Sequence, residues 1–343
     1  MTNPLPPLPL VNGALFIDNS VMDEWNECPT QWHYRFLLNR TAAFTKPALN
    51  FGTAIHLALA EYAKGTEIEK IDLLLAGHFA CNPQPPDDHR SPAHAAETFR
   101  RYVEHYKDEP LKPLQTSEGL FVEFPFAFKL FDYVPSIFMD GIKHVKPNNG
   151  GGGIEIIPIY FCGKIDLALE KPDHSKWVVD RKTTFQLGTQ FSYEMKATPQ
   201  MRGYCWAFKR AFGELPQGYI VDAIRTSVPT QKCLDDSLVT GNTKALDKWW
   251  ETQFYREPFY INQEEIDEWE KNTITLIEEL LWYYSRGFIP MKRKWCVNKY
   301  GRCQFYDVCT LPIVQRPLML LSNMFIEDSW TPLNKPNANP NII

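Results

Sequence analysis

Apolar residues recur at helical spacing in the first third of the chain, and the pattern changes to that of strands in the middle. The first helical segment spans residues 20–38, the second runs from Thr53 to Gly65, and the third begins after Ser91. Gly65 is typical of a helix end and Ser91 of a helix start. The first third is therefore predicted to be mainly helical.

The first helical segment carries two further signals. Ser20 and Asp23 lie in a capping arrangement, which predicts that the helix begins there. Pro29 predicts a break inside the segment, because proline lacks the backbone N–H that an interior helical position uses.

The middle of the chain is rich in β-branched and aromatic residues with partial alternation, which predicts strands. The predicted strands are residues 119–130, 154–170, 176–184 and 217–227. Further helices are predicted at 198–213 and from about Gln263 to Gly287. We expect the glycine-rich stretch 146–153 to be a flexible loop tip and the tail 334–343 to be disordered.

These elements predict an α/β protein in which helices flank a central mixed sheet. The expected division of the chain is a helical amino-terminal region at 1–115, a core sheet at 116–230, a helical carboxy-terminal region at 231–312 and a partly disordered tail at 313–343.

The composition is that of a globular protein, with 44% hydrophobic and 14% aromatic residues among 343. The apolar runs are too short for a membrane helix, and the proline-rich amino terminus has no apolar signal core. We therefore expect a cytoplasmic protein in a reducing compartment, where eight cysteines indicate metal or redox chemistry more often than disulfides. The net charge of −5 gives no overall attraction to nucleic acid, so any basic contact surface must be local.

Residues 163–184 predict a hairpin of two strands around a polar turn. Alternation along the second strand places Asp180 and Lys182 on one face. A symmetric turn would set Asp166 opposite residue 181, which leaves the face of Asp166 open. On their own, Asp180 and Lys182 are also compatible with an ordinary surface ion pair.

Two carboxylates and an amine at one end of a hairpin suit metal-dependent phosphodiester hydrolysis. Carboxylate oxygens hold Mg²⁺ or Mn²⁺, the cation polarises the phosphodiester, and a lysine orients or deprotonates the attacking water. The sequence has no phosphate-binding loop of the nucleotide-hydrolase type, which argues against a built-in helicase motor.

Four short motifs follow one another along the chain. They are "GTAIH" with Gly52 and His56, "GKID" with Asp166, "DRK" with Asp180 and Lys182, and "QMRGY" with Gln200 and Tyr204. This ordered set resembles the PD-(D/E)xK nuclease superfamily, specifically its RecB-like branch. The resemblance implies a restriction-endonuclease-like nuclease core.

The resemblance also implies roles for these residues. His56, Asp166, Asp180 and the backbone carbonyl of Arg181 would bind Mg²⁺ or Mn²⁺, and Lys182 would be the catalytic lysine. Gln200 and Tyr204 share a helix face that would touch metal-bound water or a DNA phosphate. A purely structural role stays open for His56, and a core role for Tyr204.

Charged residues near these motifs are weaker candidates. Glu123 either faces solvent or faces the site as an auxiliary metal residue. Contacts to DNA phosphates are expected from Arg181, Lys196, Arg202 and Lys209, each of which is alternatively a solvated surface charge.

Cys28 precedes the nuclease motifs, whereas Cys296, Cys303 and Cys309 follow them. This arrangement resembles members of the same branch, among them AddB-type repair nucleases, exonuclease V and CRISPR adaptation exonucleases, in which four thiolates hold a [4Fe–4S] cluster. The resemblance implies a cluster that joins the helical amino- and carboxy-terminal segments. Zinc is the alternative metal.

The spacing of the cysteines departs from that of the family. Six residues separate Cys296 from Cys303, where two are usual, and the insertion is expected to loop out at Tyr300 and Gly301. The other cysteines are interpreted as small core residues without an assigned role: Cys81, Cys162, Cys205 and Cys233.

The function implied by the resemblance is that of a DNA exonuclease. It would act on single-stranded or end-processed DNA in recombination, repair or phage-type DNA metabolism, with recombination or helicase proteins as expected partners and no membrane. A structure-specific endonuclease and a non-cleaving member that binds nucleic acid or protein stay open as alternatives.

Overall fold

The structure is a computed structural model of the chain and describes residues 5–43, 46–117, 119–139, 142–145, 155–298 and 301–330. The predicted loop tip at 146–153 and the predicted disordered tail at 334–343 lie outside these residues. None of the described helices combines the length and the apolar character needed to cross a membrane.

The helices are α1 (Asn19–Glu27), α2 (Pro29–Trp32), α3 (Pro47–Ala63), α4 (Ile68–Cys81), α5 (Pro92–His105), α6 (Thr189–Ala197), α7 (Pro199–Phe212), α8 (Gln231–Thr240), α9 (Lys244–Glu251), α10 (Gln263–Ser285), α11 (Tyr306–Thr310) and α12 (Arg316–Leu320). A π-helical turn follows α2 at His33–Leu37, and short 3₁₀ turns lie at Arg293–Trp295 and Ile313–Gln315.

The strands are β1 (Leu15–Ile17), β2 (Arg40–Ala42), β3 (Gln115–Thr116), β4 (Gly119–Leu120), β5 (Val122–Tyr133), β6 (Ser136–Met139), β7 (Ile142–Val145), β8 (Ile157–Glu170), β9 (Lys176–Thr184), β10 (Gly218–Arg225), β11 (Phe254–Tyr260), β12 (Val297–Asn298), β13 (Gly301–Arg302) and β14 (Phe325–Glu327).

The predicted cap of the first helix is wrong, although its predicted break is confirmed. Asp18 is the N-cap, and its Oδ1 accepts a 2.9 Å hydrogen bond from the N–H of Val21. Ser20 therefore lies within the first helical turn and does not begin the helix. Helix α1 ends at Glu27, and α2 begins at Pro29, where proline fits the first turn of a new helix.

Capping signals predict the start of α5 but not the starts of α3 and α4. Helix α5 begins after Ser91, as predicted, and Ser91 Oγ accepts a hydrogen bond from the N–H of His94 at 3.2 Å. Helix α3 begins at Pro47 and not at Thr53, because proline at the first position allows an earlier start. Helix α4 was not predicted, since no side chain caps its amino end.

Six strands form one mixed sheet in the order β1-β8-β9-β10-β11, with β5 also paired to β8. Strand β9 is antiparallel to β8 and parallel to β10, and β10 is antiparallel to β11. This confirms the predicted α/β class with a central mixed sheet. The strands predicted at 176–184 and 217–227 are β9 and β10.

The register of the β8–β9 hairpin differs from the symmetric pairing considered above. Leu167 lies opposite Val179, so the same register places Asp166 opposite Asp180 and not opposite residue 181. The turn contains five residues, and His174 has the left-handed backbone that closes it, with a φ of 64°. Asp166 and Asp180 are consequently neighbours across the hairpin.

The chain forms two compact units. The first contains Met1–Phe44, Pro125–Gly163 and Asp267–Ile343, and the second contains Thr45–Phe124 and Lys164–Ile266. The division of the chain expected from sequence stays a prediction.

Each unit has its own core. In the second unit, α3, α4 and α5 bury an apolar cluster that includes Phe51, Leu59, Ile71 and Phe99. In the first unit, an aromatic cluster joins the π-helical turn to the last helices, and its buried members are Tyr34, Phe305, Val308, Leu320 and Phe325. Burial of such side chains supplies most of the favourable free energy of folding.

Candidate active site

Strand β9 presents Asp180 and Lys182 on the same face, as the alternation of a strand requires. The ammonium nitrogen of Lys182 lies 2.9 Å from Oδ2 of Asp180, and the two side chains are 28% and 3% exposed. A carboxylate this deeply buried does not belong to an ordinary surface ion pair, so that alternative is wrong for Asp180.

Helix α7 brings two further predicted residues to Lys182. Lys182 Nζ donates a 2.7 Å hydrogen bond to Oε1 of Gln200, and Gln200 Nε2 donates a 3.0 Å hydrogen bond to the hydroxyl of Tyr204. The two residues are one helical turn apart and therefore share a face of α7. Tyr204 is buried, so it packs in the core as well as belonging to this hydrogen-bonded chain.

Asp166 connects β8 to both β9 and α3. Its Oδ2 accepts a 2.8 Å hydrogen bond from the backbone N–H of Arg181 and lies 3.5 Å from Nδ1 of His56. His56 is on α3, and its side chain is 32% exposed. The structure thus brings His56 and Asp166 together, as the sequence motifs predicted.

Gly52 explains why α3 approaches β9 closely enough for His56 to reach Asp166. A Cβ atom at Gly52 would lie 2.7 Å from Oγ1 of Thr183 on β9, closer than such atoms can pack. The glycine, one helical turn before His56, is therefore required for the contact between this helix and this strand.

Glu123 completes a group of potential metal ligands. One ligand atom each from His56, Glu123 and Asp166 lies within 4.8 Å of the others, in a group that can hold a metal ion. Glu123 also forms an ion pair with Lys164. Of the two positions considered for Glu123, the structure shows the one near His56 and Asp166, and the metal-binding role of Glu123 stays a prediction. An imidazole with two carboxylates is a suitable donor set for Mn²⁺ or Mg²⁺.

The backbone at Glu123 breaks the alternation of its strand. Its φ is 53°, in the left-handed region that a glutamate rarely adopts. Because this conformation lies between the end of β4 and most of β5, side-chain alternation along 119–130 does not give the direction of Glu123.

Burial and neighbouring charges have opposite effects on the pKa values of the site residues. Burial raises the pKa of Asp166, but the neighbouring His56 and the N–H of Arg181 outweigh burial and lower that pKa to about 2. Burial lowers the pKa of His56, but the charge of Asp166 outweighs it and raises that pKa. Burial also raises the pKa of Asp180, together with the charge of Asp166.

The pKa shifts of the two buried carboxylates are relevant to the binding of a cation. Oδ2 of Asp180 is buried and accepts no hydrogen bond within the described residues, although Lys182 lies near it. Two carboxylates in one buried place repel each other, so a divalent cation would stabilise both of them. The residues therefore fit a hard cation.

The residues expected to contact DNA phosphates are placed less favourably. The side chain of Arg181 is buried, 4% exposed, and by strand alternation lies on the other face of β9 from Lys182. This position does not favour a contact between the side chain of Arg181 and DNA on the Lys182 face, and the contact stays a prediction.

The other three cations differ from one another. Arg202 donates to the carbonyl oxygens of Lys196 and Thr198 and contacts Glu265. Lys209 donates to Gln263. At 100° per residue, Arg202 and Lys209 lie about 180° around α7 from Gln200. Lys196 is exposed on α6 and stays a predicted DNA contact.

Lys164 belongs to the site through its ion pair with Glu123, although the sequence motifs assign it no role. It lies two residues before Asp166 on β8, so strand alternation places both side chains on one face. That spacing is the signal that could have identified Lys164 as part of the site.

The four cysteines expected to bind a metal all lie in the first unit. Cys28 is buried between α1 and α2, and the others are partly exposed. Strands β12 and β13 pair as a hairpin after Cys296, and the N–H of Cys303 donates to the carbonyl oxygen of Cys296 at 2.9 Å. The hairpin therefore brings Cys303 next to Cys296, although six residues separate them in sequence. Gly301 is in β13, and Tyr300 lies outside the described residues.

The cysteine side chains affect one another's ionisation. Burial, together with the charges of Cys28, Cys303 and Cys296, raises the pKa of Cys309 to about 11. Burial also raises the pKa of Cys303, with contributions from Cys28 and Cys296. Such interactions require the four thiols to be near one another. Among the described residues, however, the cysteine sulfurs form no group of three within 4.8 Å.

Two of the remaining cysteines differ from the interpretation as core residues. Cys162 and Cys205 are fully buried, as expected. Cys81 is exposed at the end of α4, and Cys233 is partly exposed on α8, so neither of these is a core residue.

Comparison with known proteins gives one strong result. The family model described as the PD-(D/E)XK nuclease superfamily matches residues 20–310. None of the curated proteins matches the chain. A solved structure described as "Crystal structure of SSO0001" is 12% identical, covers 65% of this chain and 74% of its own, and has a TM-score of 0.22. A TM-score this low supports no structural argument.

Proposed function

The chain belongs to the PD-(D/E)XK nuclease superfamily, and we propose that it hydrolyses phosphodiester bonds of DNA at the centre that contains Asp166, Asp180 and Lys182. Members of this superfamily are metal-dependent nucleases. The assignment of residues is our proposal, and the position of Lys182 is the observation that supports it. A lysine held 2.9 Å from a buried carboxylate, next to a group that can bind a metal, suits phosphodiester hydrolysis.

His56, Glu123 and Asp166 would hold Mg²⁺ or Mn²⁺, with Oδ2 of Asp180 as a further ligand. When bound, the cation supplies positive charge beside the scissile phosphate and lowers the pKa of water. Glu123 is included because its carboxylate is within ligand distance of His56 and Asp166.

Lys182 would orient the attacking water or contact the phosphate. Its ammonium group has two fixed neighbours, Asp180 on the same strand and Gln200 on α7. Gln200 is in turn oriented by Tyr204. This chain of contacts limits the rotamers of Lys182 and so holds the amine in place for the reaction.

We also propose an exonuclease that acts on single-stranded or end-processed DNA in recombination, repair or phage-type DNA metabolism. The support is the resemblance of the four motifs and the cysteine arrangement to the RecB-like branch. An endonuclease and a non-cleaving binding protein differ from this proposal in measurable ways.

The test is digestion of end-labelled linear DNA and of covalently closed circular single-stranded DNA with Mg²⁺ or Mn²⁺. We expect cleavage of linear DNA only, and loss of at least about 100-fold in Lys182→Ala. Lys176→Ala, on the same strand but paired with the exposed Glu214, is the matched control. Cleavage that survives in Lys182→Ala contradicts the site. Cleavage of circles makes the protein an endonuclease, and no cleavage with intact DNA binding makes it a binding protein.

A second proposal concerns the cysteines, which we infer to bind a [4Fe–4S] cluster. A cavity of about 290 Å³ is lined by Cys296 and Cys309 and provides space beside the thiols. The support for an iron–sulfur cluster over zinc is the resemblance of the cysteine arrangement to the RecB-like branch.

The cluster is tested by anaerobic purification and measurement of iron, sulfide, zinc and visible absorption. We expect iron and sulfide in the wild type and their loss in Cys28→Ser. Cys81→Ser, at an exposed cysteine outside this group, should keep both. Stoichiometric zinc without sulfide in the wild type would reject the iron–sulfur proposal.

A further inference from the structure

A second cavity lies in the second unit and takes no part in the proposed reaction. Its volume is about 270 Å³, and its walls include Tyr62, Tyr102, Tyr106, Leu111, Arg181 and Arg256. It is smaller than most sites for drug-sized ligands, so only a small ligand fits.

Arg181 contributes buried, charged hydrogen-bond donors to this part of the protein. Its side chain is 4% exposed, and its Nε and Nη1 atoms are buried without a hydrogen-bond partner among the described residues. The guanidinium group of arginine carries a positive charge. Leaving buried donors of a charged group unsatisfied is costly, so an acceptor is expected at this place.

The carboxylate next to Arg181 on the neighbouring strand does not satisfy the buried donors of Arg181. Asp222 is the neighbour of Arg181 in the parallel β9–β10 ladder and of Arg256 in the β10–β11 ladder. Its oxygens accept from Arg256 Nε at 3.1 Å and from the hydroxyl of Tyr102. The hydrogen bonds that Asp222 accepts therefore come from Arg256 and Tyr102.

Arg256 is satisfied by its own partners. Besides Asp222, it donates to the carbonyl oxygen of Glu109 at 2.9 Å and to the hydroxyl of Tyr102 at 3.0 Å. Its guanidinium lies 3.6 Å from the ring centroid of Tyr106. Arg256 thus adds positive charge to the wall without needing another acceptor.

The cavity carries an excess of positive charge. Arg181, Arg256 and the exposed Lys112 line it, and the buried carboxylate of Asp222 accepts a hydrogen bond from Arg256. The exposed Glu109 lies near Tyr106, which is one of the lining residues. A small anion with several oxygen atoms would satisfy Arg181 and balance this charge.

We propose that this cavity binds the phosphate group of a small ligand through Arg181. The source of the group is either inorganic phosphate or a mononucleotide, and the aromatic walls formed by Tyr62 and Tyr106 offer surfaces for a base in the second case. The site lies on the face of β9 opposite to Lys182 and does not depend on the proposed nuclease activity.

Binding is measured by isothermal titration calorimetry of the full chain, without divalent metal, first with inorganic phosphate and then with deoxynucleoside 5′-monophosphates. The Nε–H resonance of Arg181 in ¹⁵N-labelled protein is a second readout, and it should shift on binding. A mononucleotide that binds at least about 10-fold more tightly than phosphate identifies the nucleotide as the source. Equal affinities identify the phosphate group alone as the ligand.

The variants separate the site from its surroundings. Arg181→Met should weaken binding at least about 10-fold, and Lys112→Glu should weaken it through charge at the opening. Lys107→Glu, a nearby exposed lysine outside the cavity, is the control for Lys112→Glu and should leave affinity unchanged. Lys182→Met should also retain binding.

Three results would overturn the proposal. They are an absence of phosphate binding at millimolar concentration in the folded wild type, unchanged affinity in Arg181→Met, and loss of binding in Lys182→Met, which would place the anion in the active site. Because Arg181→Met can disturb β9, its thermal unfolding is compared with that of the wild type. Lys112→Glu, at an exposed residue, keeps the test decisive if Arg181→Met does not fold.

Discussion

Lys182 Nζ donates a 2.7 Å hydrogen bond to Oε1 of Gln200, and this contact joins strand β9 to helix α7 at the amine proposed for catalysis. Oδ2 of Asp180 lies 2.9 Å from the same ammonium group. The lysine is therefore positioned by one ion-pair partner and one hydrogen-bond acceptor. Removal of either residue's contact should affect the rate more than the binding of DNA.

For Gln200→Ala we expect kcat to fall about 10-fold with a nearly unchanged KM, because the amine remains but gains rotational freedom. The measurement is steady-state digestion of labelled DNA. Gln190→Ala removes an exposed hydrogen bond on α6 and serves as the control. An effect on KM alone would mean that Gln200 binds substrate and does not position Lys182.

Asp166→Asn should weaken Mn²⁺ binding at least about 10-fold, because it removes one charged ligand from the group with His56 and Glu123. In metal-free protein it should also lower the pKa of His56, since the charge of Asp166 raises that pKa. Calorimetry and histidine NMR measure the two effects. Asp173→Asn, in the exposed turn of the same hairpin, should change neither.

Gly52→Ala should destabilise the protein by about 1–3 kcal/mol, because the new Cβ meets Thr183 Oγ1 at 2.7 Å. The clash would also move His56 away from Asp166 and lower activity. Thr183→Ala removes the obstructing atom, so the double variant should recover stability. Thermal unfolding of the two single variants and the double variant tests this. Additive losses would show that the clash is not the cause.

Glu123 permits a separation of backbone strain from ligand chemistry. Glu123→Asn should be about 1 kcal/mol more stable than Glu123→Ala, because asparagine tolerates a φ of 53° better than alanine does. Both variants lose the ion pair with Lys164, so the difference between them reports the backbone. Urea unfolding gives the stabilities, and both variants should bind Mn²⁺ more weakly than the wild type.

His94 should make the protein sensitive to acid. Burial lowers its pKa from 6.5 to about 4, so the folded protein binds fewer protons than the unfolded chain between these values. The contribution of His94 to the free energy of unfolding therefore falls as the pH drops from about 6.5 to 4, by up to about 3 kcal/mol, and is constant above that range. His94→Phe should flatten this part of the profile, whereas His174→Asn, at an exposed histidine, should not.

The proposed site was predictable where a rule of alternation or helical spacing applied without interruption. Asp180 and Lys182 share a face because β9 is regular, and Gln200 and Tyr204 meet because they are one turn apart on α7. These relationships depend only on local geometry, which sequence specifies.

Other features depended on conformations that the pattern does not contain. The five-residue turn with a left-handed His174 set the register of Asp166, and the left-handed Glu123 redirected a carboxylate that alternation left undecided. The hairpin after Cys296 returned Cys303 despite an unusual spacing. The burial of Arg181 depended on helices that pack over β9, and tertiary packing cannot be deduced from one strand.

Strand β9 uses consecutive residues for unrelated purposes, since Asp180 and Lys182 face one side and Arg181 faces the other. A one-residue insertion or deletion before Asp180 would exchange these faces and present the guanidinium to the carboxylate of Asp166. The segment can therefore change by substitution but not in length. In a deep mutational scan, we expect variants with a single-codon deletion in β9 to be depleted as completely as variants with a substitution of Lys182.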